Sequence, residues 1–189
     1  MLARLRTLTL LSLLAFPFGS ALADDYADTI KVFRGAGQSA KFFGNSYGYA
    51  VFPTIGKGGI GIGGAHGKGR VYAKGAYVGD TSMTQLTVGL QLGGQAYSQI
   101  IFFKDKRAFD EFTGGNFEFG AQATAVAITA GASAQASTGG TGAGATGTQG
   151  QAKTAGEYQK GMAVFTAVKG GLMYEASIGG QKFSYKAKK

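Results

Sequence analysis

The spacing of apolar residues changes period near Tyr47. Before it, residues 28–43 (DTIKVFRGAGQSAKFF) read as a helix that Asp28 can cap. Ile30, Phe33, Gly37 and Ala40 fall on one stripe, and Lys31, Arg34, Gln38 and Lys41 on the neighbouring one. Gly35 and Gly37 each cost about 1 kcal/mol relative to alanine, so this helix depends on docking against protein or a membrane. Beyond Tyr47 the period is two. In MTQLTVGLQL (83–92), Leu86, Val88, Leu90 and Leu92 share one face and Gln85, Thr87, Gly89 and Gln91 the other, the alternation of a half-buried strand. Residues 49–53, 58–66, 69–78, 96–103, 117–128, 161–168 and 171–180 read the same way. A short helix over Lys106 to Phe112 is capped by Asp105, turns Phe109 and Phe112 inward and stops at Gly114-Gly115. Lys169-Gly170-Gly171 suggests a tight hairpin. The low-complexity run STGGTGAGATGTQG (137–150) has too little apolar surface to fold by itself and is expected to be a flexible loop between strands. The predicted fold is α+β: a strongly curved antiparallel β-sheet or partial barrel, with the N-terminal amphipathic helix over one face and one short internal helix.

The first 23 residues have the pattern of a signal peptide. Arg4 and Arg6 precede an apolar run from Thr7 to Phe18, and Ala21-Leu22-Ala23 offers small residues for cleavage after Ala23. The run is far short of the roughly 20 residues that span a bilayer. This predicts an exported chain of bacterial type, periplasmic or secreted, with residues 24–189 as a single domain. The chain has no cysteine, hence no disulfides. Dropping Arg4 and Arg6 lowers the formal net charge from +9 to +7, which favours anionic partners.

Candidate chemistry concentrates in GKGGIGIGGAHGKG (56–69), which holds eight glycines, two lysines and the single histidine. Gly59, Gly61 and Gly64 formally satisfy G-x-G-x-x-G, yet that turn must open a helix to hold a pyrophosphate, and the sequence here continues as strand. Neither Gly-Lys pair is followed by the serine or threonine of a P-loop. Glycines at alternating positions 59, 61 and 63 leave one strand face bare, opposite Ile60 and Ile62. A bare face serves close approach or sharp curvature. His66 has neither a cysteine nor a second histidine with which to share zinc. Asp110 and Glu111 are adjacent in a short helix and diverge, and no nucleophile elbow or triad pattern occurs. No catalytic residue, cofactor or metal is therefore expected. The basic residues form sets instead: Lys31, Arg34 and Lys41 along the helix, beside apolar Ile30 and Phe33; Lys57, Lys68 and Arg70 around the glycine strand; and a basic tail of Lys182, Lys186, Lys188 and Lys189. A basic stripe beside an apolar one suits an interfacial membrane contact.

Three runs together resemble the SYLF domain: GYAVFPTIGKGGIGIGGAHGKGRVY (48–72), FGAQATAVA (119–127) and KGMAVFTAVKGGLMYEASIGG (160–180). The resemblance implies a non-enzymatic, lipid-binding domain. In eukaryotic members membrane association involves an amphipathic N-terminal helix, which by position corresponds to the helix of Lys31, Arg34 and Lys41. Yeast members also associate with actin, a partner that export puts out of reach. The expected ligand is an anionic phospholipid surface, which Lys31, Arg34 and Lys41 attract while Ile30 and Phe33 insert or dock; Lys57, Lys68 and Arg70 are further candidates. No nucleic-acid partner is expected. The alternatives are a small outer-membrane barrel or structural envelope protein, and a hydrolase using His66.

Overall fold

The computed structural model describes residues 20–119, 126–128, 158–178 and 180–189. Residues 1–19 of the expected signal peptide and the expected loop 137–150 lie outside them. Residues 20–23, read in the sequence as the end of the leader, form the start of helix α1 (Ser20–Gly35). The remainder of the expected helix is divided into α2 (Gly37–Ala40) and α3 (Phe42–Asn45), with breaks at Ala36 and Lys41. Asp28 is thus inside a helix rather than capping one, and it pairs with Lys31 at 2.9 Å.

The strands are fewer and longer than the sequence runs suggest. β1 (Gly48–Ala73) and β2 (Ala76–Phe103) form one antiparallel hairpin. Its turn is Lys74-Gly75, both at positive φ (49° and 84°), the backbone that a two-residue hairpin demands. The run 69–78, expected as one strand, is therefore the hairpin's tip. α4 (Lys106–Thr113) follows, its N-terminus capped by Asp105, whose carboxylate accepts from Ala108 N at 2.9 Å. β3 (Asn116–Phe119) and β4 (Val126–Ile128) are short. β5 (Met162–Ile178) runs straight through Lys169-Gly170-Gly171. The expected hairpin there is a bulge, where the β2–β5 register shifts and Gly171 takes a φ of 91°. β6 (Gln181–Ala187) completes the set.

Among the described residues, the six strands belong to one open sheet, ordered β3-β6-β2-β5-β4, with β1 along the other edge of β2. Pairing is antiparallel except between β4 and β5. β5 takes the β2 edge from Val88 to Phe103, and β6 takes it from Gly79 to Gln85.

The long hairpin is bent in the middle, so its two limbs face each other. Between them lies one core, built by Phe52, Ile55, Met83, Phe103 and Phe183 with Phe112 of α4. On the far side of the first limb, Val51, Ile100, Phe102 and Phe165 meet Phe33 and Phe42 of the N-terminal helices in a second core. Residues 50 and 52 point one way and 49 and 51 the other, so the period-two alternation here sorts residues between two buried faces. Buried Gln99 in the first limb donates to Gln181 Oε1 at 3.1 Å on β6, tying the limbs together. Ser98 Oγ donates to the Pro53 carbonyl at 2.8 Å beside the bulge that separates Phe52 from Ile55.

Candidate functional site

The glycine strand is shaped by curvature. Gly61 takes a φ of 69°, and the β1–β2 register jumps there, from Ile60–Leu92 to Ile62–Val88. At this corner Gly59 comes so close to the Gly63 backbone that no Cβ fits between them. Farther along, a Cβ on Gly67 would lie 2.5 Å from the Ile55 side chain, and one on Gly69 2.6 Å from the Phe52 ring. Gly63, Ala65, Gly67, Gly69 and Val71 are all buried. The bare face is a seam between the two limbs. It is not a phosphate cradle, and Gly59, Gly61 and Gly64 open no helix.

The opposite face of the same strand points outward. There His66 Nδ1 lies 3.2 Å from Thr84 Oγ1 on an exposed surface. Among the described residues no group of three or more histidines and carboxylates is placed to hold a metal. Lys68 is exposed and borders a shallow depression shared with Tyr26, Asp80, Ser82, Ser184 and Lys186. Arg70 has a structural position, its guanidinium lying 4.3 Å from the Tyr26 ring of α1 and 5.0 Å from the Tyr77 ring. Tyr77 in turn donates to Asp80 at 2.8 Å. Burial holds the Tyr26 hydroxyl above its ordinary pKa, with Arg70 pulling the other way. Lys57 is half-buried on the first limb, opposite Gln95.

On the helices, Phe33 is fully buried and Ile30 packs against the same core. Both therefore dock on the protein's own sheet. Ser39 fixes this arrangement by donating its hydroxyl to the Phe33 carbonyl at 2.6 Å, inside the protein. Lys31, Arg34 and Lys41 remain on the outside. Arg34 sits 4.4 Å from the Phe43 ring, and burial pushes the Tyr49 hydroxyl up in pKa, with the Arg34 charge pulling the other way. Lys41 lies 5.4 Å from the Phe42 ring. The eight residues singled out by sequence thus fall into a helix group and a hairpin group, joined where Arg70 meets Tyr26 of α1.

Sequence reasoning missed one surface. The leucine-rich face of 83–92, read as half-buried, turns outward. Among the described side chains of that stretch Thr87 and Met83 are buried, while Leu86, Val88 and Leu92 are exposed beside Ile60 and Ile62. Period alone cannot say which face is inside, but the all-glycine face across the ladder signalled it, because only that side lets a second layer approach.

A family model described as Ysc84, Las17-binding protein actin regulator, matches residues 84–188. That range takes in most of β2 and all of α4 and β3 to β6, and starts after the glycine strand. The chain is also 29% identical over 170 residues to the beta cell expansion factor A of Aeromonas veronii, an alignment covering 83% of this chain and 53% of that protein. The chain thus spans about half the length of this curated relative. No solved structure matches. With the family model spanning more than half of the chain, and the SYLF-like runs 119–127 and 160–180 inside its range, this protein belongs to the Ysc84 family of SYLF domains, in general a lipid-binding family.

Proposed function

We propose that this chain is an exported, non-enzymatic domain that binds anionic phospholipid at the cell envelope. The observation that supports the reading is that Lys31 and Arg34 of α1 and Lys41, at the break between α2 and α3, are all exposed while Phe33 is buried against the sheet. Each cation near an anionic membrane contributes about 1 kcal/mol, and this attraction fades with salt. Three such charges give weak adhesion, so apolar contact must add to it. Among the described residues no helix is long and apolar enough to cross a membrane, so the contact is peripheral unless strands supply a span. The family is described by Las17 and actin; export separates this chain from both.

The test is vesicle cosedimentation. The protein should sediment with vesicles containing phosphatidylglycerol or cardiolipin, stay in solution with phosphatidylcholine alone, and be released by salt. Binding should fall in the triple variant Lys31→Glu/Arg34→Glu/Lys41→Glu. Equal sedimentation with neutral and anionic vesicles would remove the anionic reading, and undiminished binding of the triple variant would remove the helix as the contact.

A further inference from the structure

At the corner of the bent hairpin the glycines face inward, and the side chains of the same residues' neighbours face out. Gly59 and Gly63 meet on the concave side. Ile60 and its cross-strand partner Leu92, Ile62 and its partner Val88, and Leu86 opposite Gly64 stand on the convex side. These five side chains are between 57% and 80% exposed. Cross-strand partners lie side by side on one face, so the five form a single apolar crest rather than scattered surface residues. Contiguous exposed apolar patches mark interaction sites.

We infer that this crest is the part of the protein that enters the lipid, with the basic helix face and the flanking lysines holding the surface. The inference rests on the lipid-binding reading above and names its inserting element. Shape argues for this occupant: a convex ridge has no pocket to receive a partner's side chain, whereas the interfacial layer of a membrane yields around a ridge. Charge argues for it too. The two stretches that build the corner, 54–69 and 81–96, contain Lys57 and Lys68 and no carboxylate. Lys68 lies beyond His66 on the same outward face as Ile62, and Lys169 reaches the first limb through Thr54 Oγ1 at 3.1 Å. An anionic surface meets cations on both limbs and greasy residues between them. With Phe33 fully buried, Val32 is the one large apolar side chain exposed on α1 among the described residues, so the apolar contact that weak electrostatics needs comes from the corner.

The experiment uses the purified protein and phosphatidylglycerol-containing vesicles. The chain has no tryptophan, so Ile60→Trp supplies a single reporter whose emission should shift to the blue on vesicles and be quenched by lipid carrying bromine on its acyl chains. Ile60→Ser/Ile62→Ser/Val88→Ser should lose vesicle affinity by about tenfold or more, since tenfold corresponds to only about 1.4 kcal/mol and three apolar side chains are withheld from lipid. Val32→Ser should lose far less. The triple serine variant changes only exposed positions, and an unaltered urea midpoint establishes that it folds. Unshifted indole emission from Ile60→Trp, with undiminished binding of the triple serine variant, overturns the crest while leaving lipid binding standing. Failure of the unmodified protein to bind any anionic vesicle overturns both. Self-association of the unmodified protein that the serine variant abolishes, without a change in vesicle affinity, assigns the crest to a second copy and also overturns the inference.

Discussion

Gly69 lies against the ring of Phe52, from an earlier part of the same strand: a Cβ at position 69 would stand 2.6 Å from Phe52 Cδ1 and 2.8 Å from the Val51 carbonyl oxygen. The bent hairpin closes on itself only because that space is empty. Gly69→Ala should therefore destabilise by about 1–3 kcal/mol, the usual range for forcing extra atoms into a packed core. Gly56→Ala, on the same strand with nothing within 4 Å of the new Cβ, should be neutral or slightly stabilising. Urea midpoints for the two variants check this, and equal midpoints would mean that the limbs are not packed as described.

Phe33 anchors the N-terminal helices to the first limb. Phe33→Ala should cost about 3–5 kcal/mol if the helices fold as part of the domain. Ser39→Ala, which leaves the Phe33 carbonyl without its buried donor, should cost about 1–3 kcal/mol. A loss of well under 1 kcal/mol in Phe33→Ala, read from urea unfolding followed by far-ultraviolet circular dichroism, would show α1 to be detached from the core in solution.

Much of this arrangement was legible in the sequence, for reasons that particular residues explain. The α4 helix could be read with its cap because Asp105, the Phe109 and Phe112 spacing and Gly114-Gly115 all act locally. The curvature of the sheet could be read because alternating glycines have few other uses in a strand. The joining of runs into two long strands was not legible. Whether Lys74-Gly75 or Lys169-Gly170-Gly171 makes the turn depends on which strands pair, and only the first has both central residues at positive φ. The outward face of Leu86 and Val88 escaped for the same reason: it is decided by what packs on Thr87 and Met83 from the other limb. Among the candidate site residues, exposure of Lys31 and Lys68 followed from charge, whereas the stacking of Arg70 on Tyr26 and Tyr77 required the fold.

Alkaline pH should weaken the protein through its tyrosines. Burial pushes Tyr158 from 10.0 up to about 12, and Tyr26, Tyr49, Tyr77 and Tyr185 are also raised. Above pH 10 the unfolded chain gives up the Tyr158 proton while the folded chain keeps it, so stability falls as pH rises and continues to fall to about pH 12. Among the described residues the buried Tyr158 hydroxyl has no hydrogen-bond partner. Tyr158→Phe should therefore leave stability near neutrality unchanged or raised. It should also lose less than the unmodified protein between about pH 8 and about pH 11. Urea titrations of both proteins at the two pH values decide it: parallel losses would mean that Tyr158 ionises freely in the folded state.

Lys68 and Arg70 sit on the same outward strand face and separate adhesion from architecture. Lys68 is exposed, whereas Arg70 joins α1 to the hairpin by lying on Tyr26 and Tyr77. Lys68→Gln should leave the urea midpoint unchanged and weaken binding to anionic vesicles by about 1 kcal/mol, roughly fivefold, at low salt. Arg70→Gln should lower stability by about 0.5–1 kcal/mol, the loss expected for partly exposed cation–aromatic contacts. Its effect on vesicle binding should be the smaller of the two, because its charge is already engaged against the two rings. Raising the salt concentration should erase the Lys68 difference and leave the Arg70 stability loss largely in place, since screening acts on the exposed charge far more than on a half-buried stack. The reverse pattern, with Arg70→Gln abolishing vesicle binding at unchanged stability, would move the lipid contact to the α1–hairpin junction.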